Sequence, residues 1–372
     1  MSEKGLADVV AAETSISDID GARGLLFYAG YDIHDLAEYS TFEETVYLLH
    51  NAALPSRDGL EDLNERLVSE RDLDDFAQQL LGTLSEVTSP MSMLRTGVSA
   101  ASAYDPDGWD QSPEANERKA MRLIARFPTM IAAYDRLRSG REPIPPDPKL
   151  PHAANLLYML AGEEPEEDRA RALDLCLVLH ADHTMNASTF TARVVASTLA
   201  DMHSAITAAI CALKGPLHGG ANEQVMKMLQ EIGDVARAEG HVRDKLARKE
   251  KIMGFGHRVY KTEDPRATHL RRLSRELAER SGDGTWFEIS ERIENVVMDE
   301  KGLYPNVDFY AASVYHYLGI PIDLFTSVFA ASRVSGWTAH VREQLADNRL
   351  IRPESDYVGP QNQRYVAIED RG

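Results

Sequence analysis

After residue 31 the apolar residues recur at helical spacing almost without interruption, and this pattern limits the fold more than any other feature. Amphipathic helices are predicted over 41–52, 58–68, 72–86, 115–139, 152–161 and 167–181. Only residues 13–31, ETSISDIDGARGLLFYAGY, alternate instead, around an Asp20-Gly21 turn, and they read as one β-hairpin. PIPPDPKLP, at 143–151, is too rich in proline for either element and reads as a connecting loop. The expected class is therefore all-α, multi-helical, with a small N-terminal β-hairpin.

Residues 186–214, NASTFTARVVASTLADMHSAITAAICALK, read as one long helix closed by Gly215-Pro216. Ala, Ser and Thr on all its sides predict a central helix with close neighbours, a partner subunit among them. PLHGGANE follows, and its paired glycines form a plausible hinge before a helix at 221–232. At 372 residues and 43% apolar, the chain is long enough for two domains with a sizeable core. The boundaries expected are near 220 and Pro321: one domain from 1–219 and 321–372, the other from 220–320.

A net charge of −19 disfavours nucleic acid and anionic membranes as partners, since both require a basic face. The charge is uneven. From His241 to Arg275 there are eleven Lys or Arg against four Asp or Glu, a local net of +7, so the remainder carries −26. Part of this excess fits solvated helices at Arg243–Lys251 and Leu270–Arg275. The glycine-rich loop between them, GFGHRVYKTEDPR at 254–266, is not explained that way, and it is suited to an anion. The longest apolar run, around 205–213, is about half of the roughly 18 residues a membrane span needs. The N-terminal MSEKGLADVVAAETS shows no signal-peptide pattern. Cys176 and Cys211 lie in apolar helical contexts, and two isolated buried thiols fit a reducing cytoplasm.

Several residues could carry chemistry. His180 and His183 in HADHTMNAS stand one helical turn apart. Such a pair can bind a metal, but a zinc site needs a third protein ligand and no HExxH-type companion is present, so no metal is expected. A structural pair and a ligand-binding His both remain open. His218 in GPLHGG sits in a loop where backbone can approach a ligand, and His257 in GFGH adds surrounding positive charge. Asp308 in PNVDFY follows a capping Asn306 and by itself reads as a first-turn carboxylate that complements the helix dipole. Arg333 lies in an otherwise apolar, small-residue helix, where a guanidinium needs an anionic partner, either structural or bound. Arg352, on the C-terminal tail, would alone pass as a surface residue. Together, the loop histidines, one carboxylate and several arginines, with no Ser or Cys nucleophile elbow, suit a substrate bearing carboxylates. They also suit proton abstraction with His donors facing a developing oxyanion.

The constellation resembles the citrate synthase family over nearly the whole chain. The pattern G-[aromatic]-[small]-H-x-V-x-[basic]-x-x-D-P-R is met in full by Gly254–Arg266, and HADHTMNAS, GPLHGGANE, PNVDFY and FAASRVSGWTAH follow the family's order. ETSISDIDG and GYDIHDLA are similar to the short bacterial and archaeal form. The resemblance implies condensation of acetyl-CoA with oxaloacetate, then thioester hydrolysis to citrate and CoA at the entry to the tricarboxylic acid cycle. It assigns Asp308 as the base that removes a methyl proton, His218 as the donor to the thioester oxygen, and His257 as the group that polarises the oxaloacetate carbonyl. His183, Arg266, Arg333 and Arg352 would hold oxaloacetate, with Arg352 donated across a homodimer. Lys261, with Gly254, Phe255, Gly256 and Arg258, would form the coenzyme A loop. No permanently bound cofactor is implied; the CoA thioester is a co-substrate. Thr184 and Met185 stand where many relatives carry an acidic or aromatic residue, which bears on acyl and acceptor preference. 2-Methylcitrate synthase, using propionyl-CoA, is the nearest alternative. A non-catalytic acyl-CoA-binding protein and a metallohydrolase are the alternatives from other classes.

Overall fold

The computed structural model describes residues 5–6 and 9–371. The N-terminal stretch read above as lacking a leader lies partly outside them. The chain opens with a three-stranded antiparallel sheet, β1 (Ser17–Asp20), β2 (Leu25–Tyr28) and β3 (Tyr31–Asp32), in sequential order. Ser17 pairs with Tyr28 and Asp20 with Leu25, and Phe27 pairs with Asp32. The expected hairpin is thus present and carries a third short strand.

The main elements after it are all helices. The first group is α1 (Ile33–Tyr39), α2 (Phe42–Asn51), α3 (Arg57–Ser69), α4 (Asp75–Ser85), α5 (Pro90–Ala101) and α6 (Pro113–Arg138). The second is α7 (His152–Ala161), α8 (Glu167–His180), α9 (Ala187–Ser197) and α10 (Met202–Leu213). Then come α11 (Ala221–Ile232), α12 (Val235–Ala247), α13 (Pro265–Ser281), α14 (Thr285–Lys301), α15 (Val307–Tyr317) and α16 (Phe325–Ala346). Capping explains many of the boundaries. Thr41 and Glu44 form a reciprocal capping box at α2, and Ser56, Asp74, Ser112 and Asp201 each accept a backbone N–H at their helix starts.

Two expectations are corrected. Residues 186–214 are two helices, α9 and α10, folded back on each other. Leu199 takes a left-handed φ of 65°, and Asp201 then caps a new helix by accepting Ser204 N–H at 3.0 Å. Helical periodicity continues through this break because both helices use the same small-residue composition. The second correction concerns the thiols: Cys176 is buried, but Cys211 lies exposed on the outward face of α10, and both are free.

The core is centred on α16, in which every residue from Phe325 to Val341 is buried. Ala330, Ala331, Ser335 and Gly336 keep its girth small, so α2, α5, α6, α8, α9 and α10 pack around it. Two of its hydroxyls bond back within the helix: Ser335 Oγ donates to Ser332 O at 2.7 Å and Thr338 Oγ1 to Val334 O at 2.8 Å. Helices α11 to α15 pack largely on one another, with α13 on α15, α12 on α14 and α11 on α15. Among the described residues no helix is long and apolar enough to cross a membrane.

Candidate active site

The segment after α8 is held from three sides. Asp182 is fully buried; its Oδ2 accepts the Ser17 hydroxyl, Thr184 N–H at 3.0 Å and His340 Nε2–H at 3.3 Å. Burial alone would raise its pKa, but His340, Arg333 and Ser17 hold the carboxyl below the usual range. Tyr28 Oη donates to Asp182 O at 2.9 Å, so the N-terminal sheet is rooted at this turn. Gly336 of α16 makes the approach possible, because a Cβ there would lie 2.5 Å from Ala181 O. This frame presents His183, whose Nε2 is 3.3 Å from Tyr260 Oη and whose ring is 5.3 Å from that of His257.

His218 lies in the turn after α10. Its Nε2 is reached by Ser188 N–H at 3.3 Å and lies 2.8 Å from Ser188 Oγ. A backbone N–H can only donate, so Nε2 is the bare nitrogen and Nδ1 carries the proton. Burial and the Arg333 charge lower its pKa to about 4, so the ring is neutral. His257 has the opposite arrangement. Its Nδ1 accepts Val259 N–H at 3.0 Å and Tyr260 N–H at 3.2 Å, leaving the proton on Nε2. Burial and Arg266 likewise take its pKa to about 4. Each imidazole is therefore an uncharged donor whose outer N–H finds no acceptor among the described residues.

Asp308 stands in the first turn of α15, where Asn306 Oδ1 accepts its N–H at 3.0 Å. Residues 254–256 and 304–306 are clasped together: Asn306 N donates to Gly254 O at 2.8 Å and Gly256 N to Tyr304 O at 2.9 Å. The His257 loop and the Asp308 turn are one unit. Gly254 (φ 84°) is required at that clasp, since a Cβ would lie 2.7 Å from the Phe309 ring. Asp308 is half-buried. Desolvation, opposed by Arg266 and Arg333, raises its pKa to about 7.

The two buried arginines differ. Arg266 uses Nε and Nη2 in a two-pronged pair with Asp264, at 2.9 and 2.7 Å, and its Nη1 finds no hydrogen-bond partner among the described residues. Arg333 donates Nε to His180 O at 2.7 Å and lies 4.7 Å over the Phe329 ring. Its buried Nη2 has no partner among the described residues, and burial lowers its pKa to about 10. Of the two partners left open by the sequence, no structural carboxylate pairs with Arg333 among the described residues. An orphaned guanidinium N–H of this kind is costly unless an anion binds. The charges of Arg266 and Arg333 are both felt at His183 and Asp308, and Arg333's at His218, so these groups share one neighbourhood.

Not every expected residue joins them. Lys261 and Arg258 extend from the same loop into solvent, and Arg258 Nη2 reaches only Gly5 O at 3.4 Å. Gly256 (φ 76°) is open. Phe255 points inward against Phe309, at 4.5 Å between ring centroids, and anchors the loop. Arg352 is exposed on the C-terminal segment and, among the described residues, makes no hydrogen bond or ion pair with the other site residues. Sequence reasoning missed Asp264, Ser188 and Tyr260. The first two carried a signal, since Asp264 caps α13 two residues before Arg266 and Ser188 stands two residues after the α9 cap Asn186.

The model for "Citrate synthase, C-terminal domain" matches residues 5–354. The chain belongs to the citrate synthase family. It is 52% identical to "Citrate synthase 2" of Bacillus subtilis, with 99% of both chains covered. It is 45% identical to the same organism's "Citrate/2-methylcitrate synthase", covering 96% of this chain and 97% of the relative. Its fold is similar to that of a citrate synthase from Thermoplasma acidophilum solved as a ternary complex with carboxymethyl coenzyme A and oxaloacetate (TM-score 0.94, 34% identity, 99% of each chain). The all-helical class expected from periodicity and the family expected from the motifs both hold, and the chain is an enzyme of this family.

Proposed function

We propose that this enzyme condenses acetyl-CoA with oxaloacetate and hydrolyses the resulting thioester to citrate and CoA, a step at the entry to the tricarboxylic acid cycle. One observation carries the reading: two neutral imidazoles, each with one nitrogen capped by backbone N–H and the other N–H free, beside a carboxyl of raised pKa. A thioester methyl proton is very weakly acidic, so a carboxylate removes it only when the forming enolate is stabilised. Asp308, made more basic by desolvation, takes the proton. His218 donates Nδ1–H to the thioester oxygen as charge develops there. A positioned donor in such a site is worth about 2.7–4 kcal/mol, and general base catalysis about 10²–10⁴-fold. His257 donates Nε2–H to the oxaloacetate carbonyl, making its carbon electrophilic, and then protonates the new alkoxide.

Oxaloacetate brings two carboxylates. The free nitrogens of Arg333 and Arg266, with His183, are the groups suited to them. Arg352 of a second copy completes this set in a homodimer. The C-terminal segment supports that assembly: Leu350, Tyr357, Val358, Tyr365 and Ile368 are all exposed on a strand-free, helix-poor extension of the subunit. Lys261, Arg258 and the glycines of the 254–256 turn would meet the coenzyme phosphates. Residues 220–320 would move as a unit against the rest, excluding water from the enolate. Two free thiols fit a cytoplasmic setting.

Propionyl-CoA is the second acyl donor to weigh, because one relative carries both activities in its name. Steady-state kcat/KM with acetyl-CoA and propionyl-CoA side by side, oxaloacetate as acceptor, decides between them. A preference for acetyl-CoA is expected. Failure to form either product would leave only an acyl-CoA-binding role and overturn the proposal.

A further inference from the structure

The N-terminal sheet has two ends, and both reach the site. Its base is tied to the turn that carries His183, through Ser17 and Tyr28 on Asp182. Its tip, the β1–β2 turn at Gly21–Gly24, lies on the loop that carries His257. Lys261 N–H donates to Gly21 O at 2.8 Å. A Cβ on Gly21 would come within 3.0 Å of Val259 C and Cγ1 and closer still to the Val259 carbonyl oxygen. A Cβ on Gly24 would lie 2.7 Å from Thr262 Cγ2 and 2.9 Å from Glu263 O. The turn itself is braced by Asp20 Oδ1, which accepts Ala22 N–H at 3.1 Å and Arg23 N–H at 3.0 Å.

The residue pressed by Gly21 is the one that orients the histidine. Val259 N–H, with Tyr260 N–H, binds His257 Nδ1 and so determines which nitrogen keeps the proton and where it points. Val259 therefore receives the hairpin on one side of its backbone and His257 on the other. We infer that Gly21 is a positioning residue for His257: the tip of the N-terminal hairpin holds the Val259–Lys261 backbone so that His257 Nε2–H is aimed at the acceptor carbonyl. The inference rests on the function proposed above and adds to it a part for a segment far from the site in sequence.

Gly21 does not occupy the left-handed region, so alanine is compatible with its backbone, and the three atoms nearest the added methyl all belong to Val259. The experiment compares wild type with Gly21→Ala, and with Gly82→Ala in α4, where a Cβ meets nothing within 4 Å. Condensation kinetics and the infrared carbonyl stretch of bound oxaloacetate are read on each. For Gly21→Ala we expect kcat to fall at least about tenfold, in keeping with the roughly 10²-fold cost of a 1 Å misplacement, while KM for acetyl-CoA stays within about twofold. The lowering of the carbonyl stretch on binding should shrink in the same variant and persist in Gly82→Ala. Asp20→Ala, which loosens the turn without adding atoms, should show the same pair of effects more weakly, and it carries the test if Gly21→Ala does not fold. Wild-type kcat in both hairpin variants overturns the inference, as does a loss of kcat with an unchanged carbonyl stretch. A wild-type enzyme that forms no citrate overturns the proposed function, and the inference with it.

Discussion

Asp308 shows how one residue can be placed at a cost to stability. An unfolded carboxyl ionises near 3.8, whereas burial takes this one to about 7. Between those values the folded state holds the proton more tightly, so its contribution to stability falls as pH rises through that window. Catalysis has the opposite dependence, because only the ionised form accepts a proton. kcat/KM for acetyl-CoA, which reports ionisations of the free enzyme, should rise with pH to a plateau above about 7, read from a pH–rate profile at sub-saturating acetyl-CoA. Asp308→Asn keeps the shape and removes the base. It should lower kcat at least about 10²-fold, and its melting temperature at pH 8 should equal or exceed that of wild type. Near-wild-type turnover would remove Asp308 from the base role. A variant less stable than wild type at pH 8 would show that the carboxylate is favourably held.

At the scale of elements, α16 is a frame for the site as much as the centre of the core. Its Gly336 lets the turn after α8 lie against the helix, and Arg333, one turn earlier, donates to His180 O in that same segment. Glycine inside a helix ordinarily costs about 1 kcal/mol relative to alanine, so replacement would normally stabilise. Here the new Cβ would sit 2.5 Å from a backbone oxygen that cannot swing away. Gly336→Ala should therefore destabilise by about 1–3 kcal/mol in denaturant melts and raise KM for oxaloacetate through displaced His183. Gly82→Ala in open α4 is the contrast and should be neutral or slightly stabilising. Equal melts for the two variants would mean that the α8 turn adjusts freely to α16.

At the scale of the whole molecule, the proposed function draws Arg352 from a second copy of the chain. Arg352 lies on an exposed, apolar-studded segment. Subunits carrying Asp308→Asn can be mixed with subunits carrying Arg352→Ala and allowed to exchange. If the arginine acts across the dimer, one site of each heterodimer collects both lesions and the other has neither, so each heterodimer regains about half of wild-type activity. If it acts within its own chain, every site keeps one lesion and nothing is restored. Size-tagged subunits report the exchange independently.

The helical class was legible in the chain itself, because 3.6-residue periodicity and the cap at Asn306 are local properties that survive without tertiary context. So was the identity of the main polar residues, since His218, His257, Asp308 and Arg333 stand in motifs whose order and spacing are distinctive. The break at Leu199–Asp201 was not legible, because small residues continue the helical pattern on both sides and only the packing of α9 on α10 selects a left-handed turn there. Nor were the protonation states. Which nitrogen of His218 and His257 is bare depends on Ser188, Val259 and Tyr260 amides brought up by folding, and the pKa of Asp308 depends on burial that no local pattern encodes. The split between the arginines has the same origin: Asp264 saturates one edge of Arg266, while Arg333 keeps a buried N–H with no partner. Sequence determines which groups are available; long-range contact decides their charge, tautomer and free hydrogen-bonding capacity, because those depend on neighbours distant along the chain.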